Sequence, residues 1–387
     1  MRDGADPGRA AASERPALDE RLEHALTFRW SDLPTVTPDL PGAGGRVRAD
    51  PEDFVVRELP LYLPSGAGSH AYARVEKVGW TTRDLQRTLI GAGVAAKHIG
   101  VAGLKDKVAR TEQWLSVPRR HEAEAWAALE AMPGVRVLET GRHTNKLGIG
   151  HLRGNAFRVR VRDVGPEGVD RVRAVAARIA AHGAPNYLGP QRFGRLGRNA
   201  LDGARLVRGE RVHGDVRLQR FFLSALQSQV FNLLLAERIR DGLFERVILG
   251  DWARKHDTGG TFEVVDAVAE SARAAALEIS ATLPLHGKKV RLSGGDAGER
   301  EARVLGALGM RWIDLVRRHG DRRMSRVLVT EVDVEVESAP AAKGPDSGDD
   351  LWLGFELPKG SYATTLLREL LKVDVDAPLD DAPSSGP

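Results

Sequence analysis

The sequence predicts an α+β protein in which a strand-rich domain is interrupted by a largely helical one. Period-two alternation runs from about Gly45 through NAFRVRVRDV and returns after about Ser325 in VDVEVES and LWLGFEL. Between them lies RFFLSALQSQVFNLLLAERI, the longest apolar helical stretch, with SARAAALEIS and REARVLGALG as further helix candidates. Strand-rich, helical, strand-rich order implies a discontinuous domain whose two parts meet in space, with a second domain inserted. A chain of 387 residues is long enough for two domains of ordinary size.

Taken in order, residues 1–44 are rich in Ala, Arg, Pro and Gly and read as a loosely ordered leader, with a short helical possibility near Leu18 to Ala25. RVRADPEDFVVREL reads as strands on either side of a Pro-containing bend, and HAYARVEKV as a half-buried strand. Thr81 or Thr82 caps a helix that runs to about Leu89 and closes at Gly91. In NAFRVRVRDV, Phe157, Val159 and Val161 share one face, and Arg158, Arg160 and Arg162 form a strongly basic opposite face. Pro166 starts a helix with Val169, Val172, Ala176 and Ile179 on one side, ended by Gly183. VDVEVES and LWLGFEL form a hairpin with a long loop, Ser361 opens a last helix, and residues 376–387 read as a disordered tail.

Composition removes several classes of chemistry. With no cysteine there is no disulfide framework, thiolate metal site or Cys nucleophile, and a reducing cytoplasm fits. The N-terminus lacks an apolar core of the secretory kind, and no apolar run is long enough to cross a bilayer. Lys plus Arg exceeds Asp plus Glu by only 57 − 53 = 4, so a polyanionic partner is allowed but not demanded. Dinucleotide, P-loop and HExxH motifs are absent, and the eleven histidines show no ligand spacing, so neither a metal nor an organic cofactor is expected.

Three segments mix glycines, charges and aromatics where neither a core nor a solvated face asks for all of them. VAGLKDKVARTEQW sets Asp106 between Lys105 and Lys107; an isolated KDK would be a surface turn with local ion pairs. HTNKLGIGHLRGNAFRVRVR places Lys146, His151, Arg153 and Asn155 before the basic strand, and alone reads equally as a solvated hairpin. APNYLGPQRFGRLGRN interleaves Tyr187 and Phe193 with Gln191, Arg192, Arg195 and Arg198, which suits unpaired bases and phosphates, or else an aromatic-anchored loop at a domain boundary.

GLKDK, GHLRGNAF, NYLGPQRFG, LSALQSQVFN and LPKGSYATTLLREL, with PEDFVVREL and GDW, occur in the order found in the TruD family of tRNA pseudouridine synthases. The chain resembles that family over roughly Gly45 to Val373. The resemblance implies a pseudouridine-synthase catalytic domain with a mixed, mostly antiparallel sheet, residues 45–182 and 328–375, interrupted by an α/β TRUD insertion over 183–327. It implies isomerisation of uridine to pseudouridine at tRNA position 13, with the base flipped out of its stack and a cleft between the domains for the RNA. Asp106 matches the family's nucleophile, and a carboxylate fits because it can form a transient adduct and then leave; attack at C6 of the base or C1′ of the sugar stays open.

Arg48 stands where the family usually carries Lys and is expected to pair with Asp106. Asn155 and Phe157 match pocket residues, an amide near the nucleophile and a ring that stacks on the base; Phe157 also reads as core. Tyr362 is placed near the pocket, and Lys105, Lys107 and Arg192 are phosphate candidates. Leu188 replaces the Phe usual at its position. The resemblance implies tRNA as partner and no membrane, with a monomer expected. Two other classes remain: a non-catalytic tRNA-binding or RNA-folding protein, and an aspartate-nucleophile hydrolase, which normally needs further carboxylates around Mg²⁺.

Overall fold

The computed structural model describes residues 18–316, 318–337 and 348–375. These form two compact units, residues 39–181 with 328–375 and residues 18–38 with His182–Val327. The leader read as loose over 1–44 is folded from Leu18 on. Helix α1 (Glu20–Leu26) is capped by the Asp19 side chain, and Leu22, Leu26, Phe28 and Trp30 are buried in the second unit. Alternating apolar residues in a segment this short give little sequence signal, and it is the aromatic pair that packs it: Phe28 stacks on Phe193 at 4.4 Å. Residues 376–387, read as a tail, lie outside the described residues, as do 1–17.

In the first unit β1 (Arg46–Val47) and β2 (Phe54–Pro60) flank a short turn at Pro51–Asp53. β3 (His70–Lys77) is followed by α2 (Thr82–Gly91), whose N-cap Thr81 and Asp84 form a capping box. The left-handed residue after α2 is Gly93, at φ +89°, rather than Gly91, which is still helical. β4 (Gly100–Val101), β5 (Arg110–Pro118), α3 (Glu122–Glu130), β6 (Val135–His143), β7 (Leu152–Val164) and α4 (Gly168–His182) complete this half. α4 buries Val172, Val175 and Ile179.

The second unit contains β8 (Ala184–Pro185), α5 (Asn199–Val207), the 25-residue α6 (Val216–Arg240), β9 (Trp252–Lys255), β10 (Thr261–Glu263), α7 (Ala267–Ala275), β11 (Ile279–Leu285), α8 (Gly295–Ala307), β12 (Asp321–Met324) and β13 (Arg326–Val327). Its four-stranded sheet, in the order β10-β9-β11-β12, is antiparallel. The polar residues of LSALQSQVFN are structural. Asn232 both accepts from Leu188 N and donates to Leu188 O, each at 2.9 Å, and Gln227 donates to the His286 carbonyl at 2.6 Å. GDW serves the same end, because Asp251 forms a fully buried ion pair with Arg238 of α6 at 2.6 Å.

β14 (Val332–Glu337), β15 (Asp349–Pro358) and α9 (Ala363–Leu371) return to the first unit. Its sheet has nine strands, ordered β14-β15-β7-β2-β5-β3-β6, with β1 added on β7 and β4 on β5. Among the described residues of this sheet only β2 and β5 pair in parallel, so the sheet is mixed and mostly antiparallel, and the fold is α+β as predicted. β3 does not alternate: besides Ala71, Ala73 and Val75, which pack on α2 and α3, it buries Tyr72 on the other face, against Trp114 and Leu152. Strand register sets three rows across one face of the sheet. Phe54, Val159 and Leu353 lie in the first, Val56, Phe157 and Phe355 in the second, and Glu58, Asn155 and Leu357 in the third. The rows run from a buried apolar core towards the polar end.

Candidate active site

The polar end is built around the loop between β4 and β5, residues 102–109, and its backbone is tied at every few residues. Gly150 N donates to Ala102 O at 2.8 Å. Lys105 N donates to Thr82 Oγ1 at 2.8 Å, and that hydroxyl donates to Gln113 Oε1 at 2.7 Å, so the first turn of α2 holds the loop. Lys105 Nζ pairs with Glu58 Oε2 at 2.8 Å, both side chains almost wholly buried, and Glu58 Oε1 accepts from Trp114 N at 3.2 Å. Lys77, fully buried at the end of β3, donates from Nζ to Asp106 O at 2.7 Å and to Trp80 O at 2.5 Å. On this pinned loop Asp106 and Lys107 are exposed.

Lys105 is therefore not placed as a phosphate contact. Its ammonium is spent inside the fold, where an unpaired Glu58 carboxylate would be costly. Lys107 keeps an outward position on the same loop.

Asn155 lies opposite Glu58 on one neighbouring strand and Leu357 on the other. Its Oδ1 is buried and meets no hydrogen-bond donor among the described residues. Gly154 before it is required by the sheet, since a Cβ there would meet Leu357 O at 2.1 Å. Phe157 is half-buried, stacked on Phe355 at 5.3 Å and edge-on to Phe54 at 6.1 Å. It thus ends the apolar core, with part of its ring left accessible. The Arg48 guanidinium lies over the Phe54 ring at 4.5 Å. Arg48 adopts φ +60°, a left-handed conformation costing a non-glycine residue about 1–2 kcal/mol. Strain of this kind concentrates at functional positions.

Tyr362 is the N-cap of α9, in place of Ser361. It follows the end of β15, where Lys359 N donates to Arg153 O at 3.0 Å beside the start of β7. Asp106, Lys107, Asn155, Phe157, Arg48 and Tyr362 all belong to the first unit; Arg192 belongs to the second. Sequence reading missed Glu58, Lys77 and Thr82. Thr82 was read only as a helix cap, and for Glu58 and Lys77 an inward charge towards the end of a strand has the same pattern as an outward one.

Two expected RNA surfaces are altered by packing. The basic face of β7 is neutralised: Arg158 pairs with Glu335, Arg160 with Glu337 and Asp350, and Arg162 with Asp50 and Asp53. Three of these acids come from β14 and β15, which only the fold brings alongside. In the 185–200 loop, Tyr187, Leu188 and Phe193 are buried and anchor the chain instead of presenting rings to bases. Arg192 stays half-buried and Arg195 exposed. Arg160→Ala should consequently lower stability by about 1–3 kcal/mol, because the buried Asp350 carboxylate loses its guanidinium and keeps neutral donors such as Asp163 N. The salt slope of tRNA affinity should stay at the wild-type value, whereas Arg195→Ala should flatten it by about one unit if that side chain meets phosphate. Anisotropy titrations between about 50 and 200 mM salt, with denaturant melts of the same variants, read both quantities.

The family model described as tRNA pseudouridine synthase D (TruD) matches residues 32–214 and 213–370. The chain is 48% identical over 361 residues to the tRNA pseudouridine synthase D of Thermus thermophilus, covering 93% of this chain and 98% of that protein. It is 48% identical over 362 residues to the enzyme of the same name from Anaeromyxobacter dehalogenans, covering 91% and 100%. A Methanosarcina mazei crystal structure carrying the TruD name superposes with a TM-score of 0.70 at 26% identity, covering 94% of this chain and 99% of that one.

Proposed function

We infer the chemistry from a chain that belongs to the TruD family and is therefore a tRNA pseudouridine synthase: Asp106 is the nucleophile that converts a flipped uridine, at position 13 of tRNA, into pseudouridine. The observation that carries this reading is an exposed carboxylate on a loop whose backbone is tied to α2, β3 and the 148–150 turn. Such a loop holds its nucleophile in one geometry without sheltering it from substrate.

The isomerisation breaks the bond from N1 to C1′ and forms one from C5 to C1′; C5 loses a proton and N1 gains one, with no net oxidation. Attack by Asp106, at C1′ or C6, lets the base detach, turn and rejoin. Phe157 stacks on the flipped ring, as its half-buried position beside Phe54 and Phe355 allows. Asn155, half-buried between Glu58 and Leu357, turns its amide to the base. Arg48 is the ionic partner of Asp106, Tyr362 closes the pocket, and Lys107 and Arg192 meet phosphate. The reaction requires no metal or organic cofactor, and the enzyme works in the cytoplasm on folded tRNA.

Pseudouridine mapping of tRNA after incubation with the purified protein tests the reading; modification at another position would correct the site, and none would remove the activity. Arg48→Met should lose about 100-fold in kcat/KM, while Arg48→Lys, the family's usual residue, should retain a substantial part. Normal turnover by Arg48→Met would place the partner elsewhere.

A further inference from the structure

We propose that Lys77 is a positioning residue for the isomerisation, its buried ammonium holding the backbone carbonyl of Asp106 and keeping a positive charge beneath the nucleophile's loop. The inference rests on the reading of Asp106 as nucleophile.

Lysine is rarely fully buried, and when it is, its charge needs a partner. Among the described residues Lys77 Nζ donates to two carbonyls, Asp106 O at 2.7 Å and Trp80 O at 2.5 Å. A structural lysine would be expected in a buried carboxylate pair, as Lys105 is with Glu58. Here the charge is instead offered to main-chain atoms of two connections, the turn that leads into α2 and the loop that carries Asp106. The charged groups that bear on it are Asp106 and Lys105 from that loop and Asp84 from α2; across the sheet it sits between Thr111 of β5 and Val135 of β6, neither charged. A carbonyl held from below fixes where the Asp106 side chain leaves the backbone, and a displacement of about 1 Å at a reacting group can cost 100-fold in rate.

Burial pushes Lys77 down to about 8, opposed by the Asp106 carboxylate. The charged form is thus held at a cost. Between about 8 and the ordinary lysine value of 10.5 the unfolded chain binds the extra proton, so this group makes the fold more stable as pH rises through that window. If its charge serves the reaction, activity falls over the same window. A purely structural lysine would give no such opposition.

The experiment measures single-turnover pseudouridine formation and the unfolding midpoint across this pH range for wild type, Lys77→Arg and Lys77→Met, with Asp106→Asn alongside. Expected are a wild-type rate falling about tenfold per pH unit above about 8, an alkaline limb moved up by about one unit or more in the permanently charged Lys77→Arg, and a kcat about 100-fold lower in Lys77→Met with KM little changed. A Lys77→Met kcat within about twofold of wild type, or an unmoved limb in Lys77→Arg, overturns the inference. Should the variants fail to fold, the wild-type curves decide: rate and midpoint moving in opposite directions support it, and a flat rate or parallel movement overturns it. An active Asp106→Asn would instead overturn the underlying reading, which separates the two failures.

Discussion

Asp106→Asn is expected to lower pseudouridine formation by roughly 10⁴-fold or more, about 5.5 kcal/mol of barrier, while tRNA affinity stays within a few fold. An amide has the size and hydrogen-bonding reach of the carboxylate but cannot attack carbon. The loop's ties should survive the change, since Lys77 grips the backbone carbonyl of residue 106 and Lys105 grips Glu58. Denaturant melts of the variant should therefore keep the wild-type cooperativity, with any loss limited to the Asp106 charge that supports buried Lys77. Turnover above that of a mock preparation would remove Asp106 from the mechanism, and loss of tRNA binding would mean that the carboxylate serves the complex rather than the chemistry.

Lys105→Met should be the most damaging single change to stability around the site, at about 3–5 kcal/mol, because it strands the buried Glu58 carboxylate. Adding Glu58→Gln should recover most of that loss: the charge is gone, and Oε1 can still accept from Trp114 N. Urea midpoints of the single and double variants measure the recovery. The salt slope of tRNA binding should be the same for the double variant and wild type, while Lys107→Ala flattens it by about one unit. A Lys105→Met protein with a wild-type midpoint and a flattened slope would put this lysine back on the RNA surface.

The sequence by itself determined the alternation of strand-rich and helical stretches, the α+β class, and the identity of the loop bearing Asp106. Those are local signals: period two in NAFRVRVRDV and LWLGFEL, a long apolar helix in the middle, and a run of motifs in a fixed order that marks the family. The core packing of Phe157 was legible too, because its strand neighbours Val159 and Val161 were plainly apolar. Tertiary structure alone decided which charges are available. Lys105 and Lys107 are indistinguishable in GLKDK, yet one is buried on Glu58, 47 residues away, and the other faces outward. Arg158, Arg160 and Arg162 read as a basic surface until β14 and β15, more than 160 residues later in the chain, supply the acids that neutralise most of it. Tyr187 and Phe193 read equally as stacking rings or as loop anchors until Phe28, from a segment taken as loose, proves to fill the space against Phe193. Coulomb and packing energies depend on distance in space, and periodicity reports only which face of its own element a residue occupies.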